Sequence, residues 1–251
     1  MPQSNESMST SAAAILAHLK TVDDERARRA ELPGLDSKIV ALKAYQQRRF
    51  SHTYADLLKT ERYSAASRFF LDELYGPTDF TRRDSQFARV VPTLVRLFPS
   101  EVIDTVAALV ALHALSESLD TAMSTHFTTG PVASIDYIRA WQRTGRGGDR
   151  ATQVALTLDL VERLDQLTSR IFLRNSLRLM RRPAQAAGLG ELQQFLETGF
   201  ETFRKMKGAH DFITIVDERE SKLAAALFSA NTETFENLAT IDAMARLPPF
   251  P

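Results

Sequence analysis

Cysteine is absent from the 251-residue chain. Disulfide bonds, thiolate nucleophiles and thiolate metal sites are therefore excluded. Tryptophan occurs once and histidine five times, at 18, 52, 113, 126 and 210. Three residues before those histidines stand Ile15, Arg49, Val110, Met123 and Lys207. None is a glutamate, so the Glu-x-x-His pair of di-iron helical bundles is missing at every position. HExxH, GxSxG and a phosphate-binding loop are missing as well. Gly145, Gly147 and Gly148 approximate a nucleotide fingerprint. That fingerprint needs a preceding strand, and no strand pattern precedes them. No metal site is expected, and no motif indicates a cofactor.

An excess of charge is lacking too. Lys plus Arg number 31 and Asp plus Glu number 31. Phosphate affinity comes mainly from net positive surface, so this balance argues against nucleic acid as a partner. The longest uncharged apolar run, about Val106 to Leu115, is too short to span a bilayer. The first eleven residues are polar and unlike a signal peptide. The expectation is a cytoplasmic protein without membrane contact. No segment alternates apolar and polar residues in the manner of a strand, and no fixed-period repeat is present.

What is present is helical periodicity. It predicts an all-α, single-domain bundle of about eight or nine helices over 12–246. A disordered tail is expected at 1–11 and an extended proline-rich tail at 247–251. Helices are expected over about 12–31, 37–58 and 61–75, with Gly76-Pro77 ending the third. Adjacent Phe69 and Phe70 cannot share a helix face, so that segment should be covered on two sides. A capping box, Thr81 to Asp84, opens the next helix, and Pro92 falls inside it. The helix over 101–125 is apolar nearly all round in its first half, which places it at the centre. Ser134 is expected to cap a short helix. GRGGD at 145–149 reads as a flexible loop, and a long helix should follow over 150–182, closed by Pro183. Helices over 191–207 and 210–229 should pair through a turn at Gly208, and a last one is expected over 232–246.

Three constellations carry candidate chemistry. His113, Glu117 and Asp120 share one face of the central helix, and could serve as a metal ligand set or an acid–base pair, or His113 could be a satisfied core histidine with Glu117 and Asp120 emerging into water. Arg170, Arg174 and Arg178 form a ridge, continued by Arg181 and Arg182, that could grip an anionic partner or face solvent. Arg82, Arg89 and Arg96 form a similar line at steps of seven. Ten of the aromatic residues fall between Tyr45 and Phe98. Such density either lines a pocket for a flat hydrophobic ligand or fills a core. Tyr63, Phe70, Tyr75, Arg82 and Arg83 are its candidate binding residues. The acidic pair Asp72-Glu73 and the basic pair Arg82-Arg83 flank the corner at 76–80, so an ion pair across it is expected.

Two stretches, FFLDELYGPTDFTRRD at 69–84 and GFETFRKMKGAHDFITIVDERE at 199–220, resemble a family of uncharacterised bacterial, chiefly proteobacterial, all-helical proteins carrying FFLxELYGxxDFxxRD. The resemblance implies domain limits near 38–230 and implies no catalytic residue. The leading functional expectation is a non-enzymatic binding or regulatory protein. It would act through a helical surface or an aromatic pocket, toward a protein partner or a small hydrophobic ligand. The alternatives are a helical enzyme or cofactor- or metal-binding protein centred on His113 and Glu117, and a structural homo-oligomer.

Overall fold

The computed structural model describes residues 5–74, 80–232 and 247–248. Among them no strand occurs, and ten α-helices are connected mostly by short turns. These are α1 (Asn5–Glu31), α2 (Leu35–Thr53), α3 (Ser64–Phe69), α4 (Thr81–Leu97), α5 (Ser100–Ser124), α6 (Ser134–Thr144), α7 (Gly147–Thr168), α8 (Ile171–Ala186), α9 (Gly190–Met206) and α10 (His210–Ser229). A 3₁₀ turn covers Leu57–Lys59, and a π-helical turn, Phe70–Leu74, extends α3. Tyr75, the Gly76-Pro77 stop and the helix expected beyond Thr232 lie outside the described residues.

Ten helices replace the expected eight or nine because one long element is split. The single helix expected over 150–182 breaks at Ser169 and Arg170, where Arg170 turns extended (φ −88°, ψ 107°). Thr168 and Ser169 donate their hydroxyls to the carbonyls of Asp165 and Gln166, giving the backbone local partners that compete with further helix. Pro183 does not close α8. The helix carries it internally and ends at Ala186. Helix α1 starts at Asn5, well before the expected position 12.

The turns are tighter than expected. Gly34 adopts φ +77°, which only glycine reaches without strain, and lets α2 begin at Leu35. The GRGGD segment is not a loose loop: Gly145 and Arg146 both turn left-handed and α7 starts at Gly147. Arg146 is held there by Asp149 at 2.6 Å and by the Ser118 hydroxyl at 3.1 Å.

Helix α5 packs against α1, α2, α4, α6 and α7 and is the hub of the bundle. By length and composition it is apolar enough to cross a membrane, and 39% of its apolar window is buried inside the protein. Its first half packs Ile103 and Val110 with Ile15 and Leu19 of α1 and Val91 of α4. Its second half is polar yet buried: Glu117, Asp120, Thr121 and Ser124 are all inside. Helices α9 and α10 join at Gly208 (φ +109°) and share a core cluster of Phe203, Met206, Phe212 and Val216, but their wider packing differs. Helix α9 lies on α8, α3, α7 and α4, whereas α10 lies on α7 and α6.

The aromatic density becomes core. Phe69 meets Phe195 and Phe203 of α9, while Phe70 meets Phe50 of α2 and Phe212 of α10. The adjacent pair is thus covered on two sides. Leu247 is buried among Leu42, Tyr45 and Tyr137, so the proline-rich end is docked where it begins.

Candidate functional site

The buried polar half of α5 demands partners, and α1 and α2 supply them. Glu117 is paired by the guanidinium of Arg29 and by Lys43 Nζ at 2.5 Å. Arg29 Nε also donates to the Thr121 hydroxyl at 2.9 Å. Burial pulls the Glu117 carboxyl upward, but Lys43 and Arg29 outweigh it and hold it at about 2. One turn on, Asp120 accepts from Gln46 Nε2 at 2.8 Å, and burial raises its pKa. One turn back, His113 Nε2 lies 3.0 Å from Asp84 Oδ2, which also accepts from Arg26 at 2.6 Å. Burial works against the Asp84 anion, but His113 and Arg26 lower its pKa on balance.

His113, Glu117 and Asp120 therefore share a helix face without converging. Each carboxylate already has its own partner on another helix. Among the described residues, no group of three or more histidines and carboxylates is arranged to hold a metal ion. The capping box is corrected as well: the Asp84 amide bonds the Phe80 carbonyl, and its carboxylate turns to Arg26 and His113. Ser134 is the first residue of α6 rather than its cap. Its hydroxyl accepts from Tyr45 and donates to the Pro248 carbonyl.

The arginine ridge is engaged by α9 and α5. Arg174 and Arg178 approach Glu201 at 2.9 and 3.9 Å, Arg181 reaches Glu197 at 2.7 Å, and Arg170 reaches Glu101 at 3.6 Å. Arg82 pairs with Glu191 at 3.0 Å. Arg83 meets the Glu73 carboxylate at 3.3 Å, the ion pair expected across the corner, and stacks over Phe80 and Phe195. Tyr63 packs on Phe212 with its hydroxyl 3.3 Å from Asp211.

Where α2, α6, α7 and α10 meet, they line a partly open cavity of about 60 Å³. That is several times the roughly 10–15 Å³ that one water requires. One wall is apolar and aromatic: Phe50, Phe70, Val161, Phe212, Val216 and Leu223. The other is polar: Gln46, Arg49, Tyr54, Tyr137, Trp141, Arg150, Gln153 and Glu220. Of the expected site residues that are described, Phe70 lines it, at the start of the π-turn. Asp120 stands one hydrogen bond away, through Gln46.

The polar wall is under-satisfied. Arg49 gives Nη1 to Glu220 at 2.5 Å, which also accepts from Tyr54 at 2.7 Å. Arg49 Nε has no hydrogen-bond partner, and neither has Trp141 Nε1, although both residues are 8% exposed. The Tyr137 hydroxyl makes no hydrogen bond among the described residues, and burial raises its pKa. Arg150 is 5% exposed and bonds only neutral acceptors, Gln153 Oε1 at 3.0 Å and Met123 Sδ at 3.4 Å. Its guanidinium lies over the Trp141 ring at 4.1 Å. Burial lowers its pKa. Among the described residues no carboxylate lies within ion-pair distance of it. The walls thus hold two guanidiniums, Arg49 and Arg150, against one carboxylate, Glu220.

Sequence reasoning passed over these residues because each is a single arginine inside an apolar register. Arg49 continues the stripe of Leu42 and Tyr45 at steps of three and four. Arg150 opens the stripe of Val154, Thr157 and Val161. A lone cation on a buried face was the available signal.

A family model described as a domain of unknown function (DUF8198) matches residues 25–234. No curated protein and no solved structure matches the chain.

Proposed function

The chain belongs to the DUF8198 family, and on that premise we propose that it is a non-enzymatic binding protein whose cavity between α2, α6, α7 and α10 takes a small organic monoanion. One observation carries the reading: Arg150 is buried, lines the cavity and, among the described residues, has no carboxylate within ion-pair distance. An ionised group taken out of water costs several kcal/mol unless an opposite charge joins it. Among the described lining residues two arginines face one carboxylate, Glu220, with Asp120 acting on Arg150 from behind Gln46, and this balance suits a single negative charge better than a dianion. The nitrogens of Arg49 and Trp141 that have no partner among the described residues add donors for a carboxylate.

The setting in this reading is the cytoplasm of a proteobacterium, supported by the resemblance carried at 69–84. The partner is the ligand, not nucleic acid or a membrane. No reacting group need be present: the chemistry is charge pairing, desolvation and shape.

Isothermal titration of the purified protein with butanoate tests the proposal. Saturable one-to-one binding is expected, lost in Arg150→Met while the circular dichroism spectrum is kept. Absence of binding to the wild type, or equal binding to the variant, would overturn it.

A further inference from the structure

The outer side of the α7–α10 contact carries a second depression of about 400 Å³, lined by Gly147, Ala151, Val154, Ala155, Leu158, Asp217, Ser221, Ala224, Ala225 and Phe228 together with Arg150. Arg150, Val154 and Ala224 line both this groove and the inner cavity. These three residues stand between the two spaces, and among the described residues Arg150 has no carboxylate within ion-pair distance. Along α7 the groove residues recur at steps of three and four, so one face of the helix is kept small and apolar from Gly147 to Leu158. From Arg150 to Leu158 that face runs about 12 Å along the axis. Its acidic member, Asp217, is exposed and bonded by the Ser221 hydroxyl at 3.1 Å, which sets it at the solvent edge.

We propose that the ligand is a medium-chain monocarboxylate, with its head group paired to Arg150 and its acyl chain lying in the groove between α7 and α10. This rests on the binding reading above and adds the ligand's class. The groove alone, a face of small residues, would indicate nothing. The buried cation at its inner end, beside the unpartnered nitrogens of Arg49 and Trp141, supplies a charge that a carboxylate complements. An acyl chain is the remainder that an alanine-lined groove accepts, because it needs no hydrogen bonds along its length.

A series from butanoate through hexanoate and octanoate to decanoate, titrated by calorimetry, tests the inference. Each added methylene reaching the groove should tighten Kd about two- to fourfold. Ala155→Phe, which fills the groove at an exposed position away from Arg150, should abolish that gain and leave butanoate binding as it was. Ala225→Phe on the facing helix should do the same and stands in if the first variant does not fold. Decyltrimethylammonium, with a similar chain and the opposite charge, should not bind. If butanoate binds and decanoate binds no tighter, the groove assignment fails while the anion site survives. If decanoate gains affinity equally in both groove variants, the chain lies elsewhere and the inference is overturned. Equal binding of the ammonium compound also overturns it. No binding of any carboxylate removes the inference and the proposed function together.

Discussion

At the scale of single residues, the interior of this bundle is organised by where buried charges find partners and where they do not. Glu117 is satisfied by Arg29 and Lys43, whereas Arg150 has only Gln153, Met123 and the Trp141 ring. The two should respond to mutation in opposite ways. Glu117→Gln leaves two buried cations without a counter-charge and should cost about 3–5 kcal/mol in chemical denaturation at neutral pH. The sign of its pH dependence follows from the depressed pKa. The Glu117 contribution is complete above the ordinary value of 4.5 and is lost as pH falls toward about 2. The acid limb of wild-type stability between those values should accordingly flatten in the variant. An unchanged acid limb would remove Glu117 from the account. Arg150→Met, by contrast, removes a buried cation that has no ion-paired carboxylate among the described residues and leaves a side chain of similar reach. Its melting temperature should stay level or rise while binding disappears, the signature of a residue kept for function rather than stability. A fall of many degrees would show that Arg150 is structural.

At the scale of elements, the sequence showed helix type and missed how helices end and meet. Periodicity carried α2, α5 and α10 to within a few residues because each repeats apolar positions at helical spacing. It could not show the break at Ser169-Arg170, which depends on hydroxyls turning back to carbonyls one turn earlier. Nor could it show that Asp84 leaves its cap for Arg26 and His113, since those partners come from α1 and α5. The contact between α3 and α9 is another case. A Cβ at Gly199 would stand 3.1 Å from Phe69 Cζ, and Phe69 is held by Phe195 and Phe203. Gly199→Leu gains helix propensity but overpacks this contact, so a net loss of about 1–3 kcal/mol is expected from denaturant titration. A stabilised variant would mean that α9 shifts freely. The α8 arginines lie at the other extreme. Arg174 and Arg178 share Glu201 in partly exposed pairs. Replacing both with Gln should change stability by under about 1 kcal/mol in the same titration. A larger loss would mark the ridge as a structural clamp.

At the scale of the whole molecule, α5 explains both what was legible and what was not. Its apolar first half announced a central helix. Its second half looked like a catalytic trio because the sequence shows a helix face and not what is packed on it. The face is covered by α1 and α2, whose Arg29, Lys43 and Gln46 are far away in sequence. The cavity was hidden for the same reason. It is assembled from α2, α6, α7 and α10, and its key residues are isolated arginines in otherwise apolar registers. Among the described residues expected to bind, Phe70 reaches it. The functional account therefore stands on a convergence on the cavity wall: two guanidiniums, one carboxylate and, among the described residues, an Arg49 nitrogen and an indole nitrogen without hydrogen-bond partners.

The protein contains a single tryptophan, Trp141, so its indole N–H gives one cross-peak in a nitrogen–proton NMR spectrum. That nitrogen is buried without a hydrogen-bond partner on the cavity wall. Titrating butanoate should move the peak progressively to a saturated position in the wild type, and leave it unmoved in Arg150→Met. An indole peak that stays fixed in wild-type protein at saturating butanoate would contradict the assignment of this cavity as the binding site.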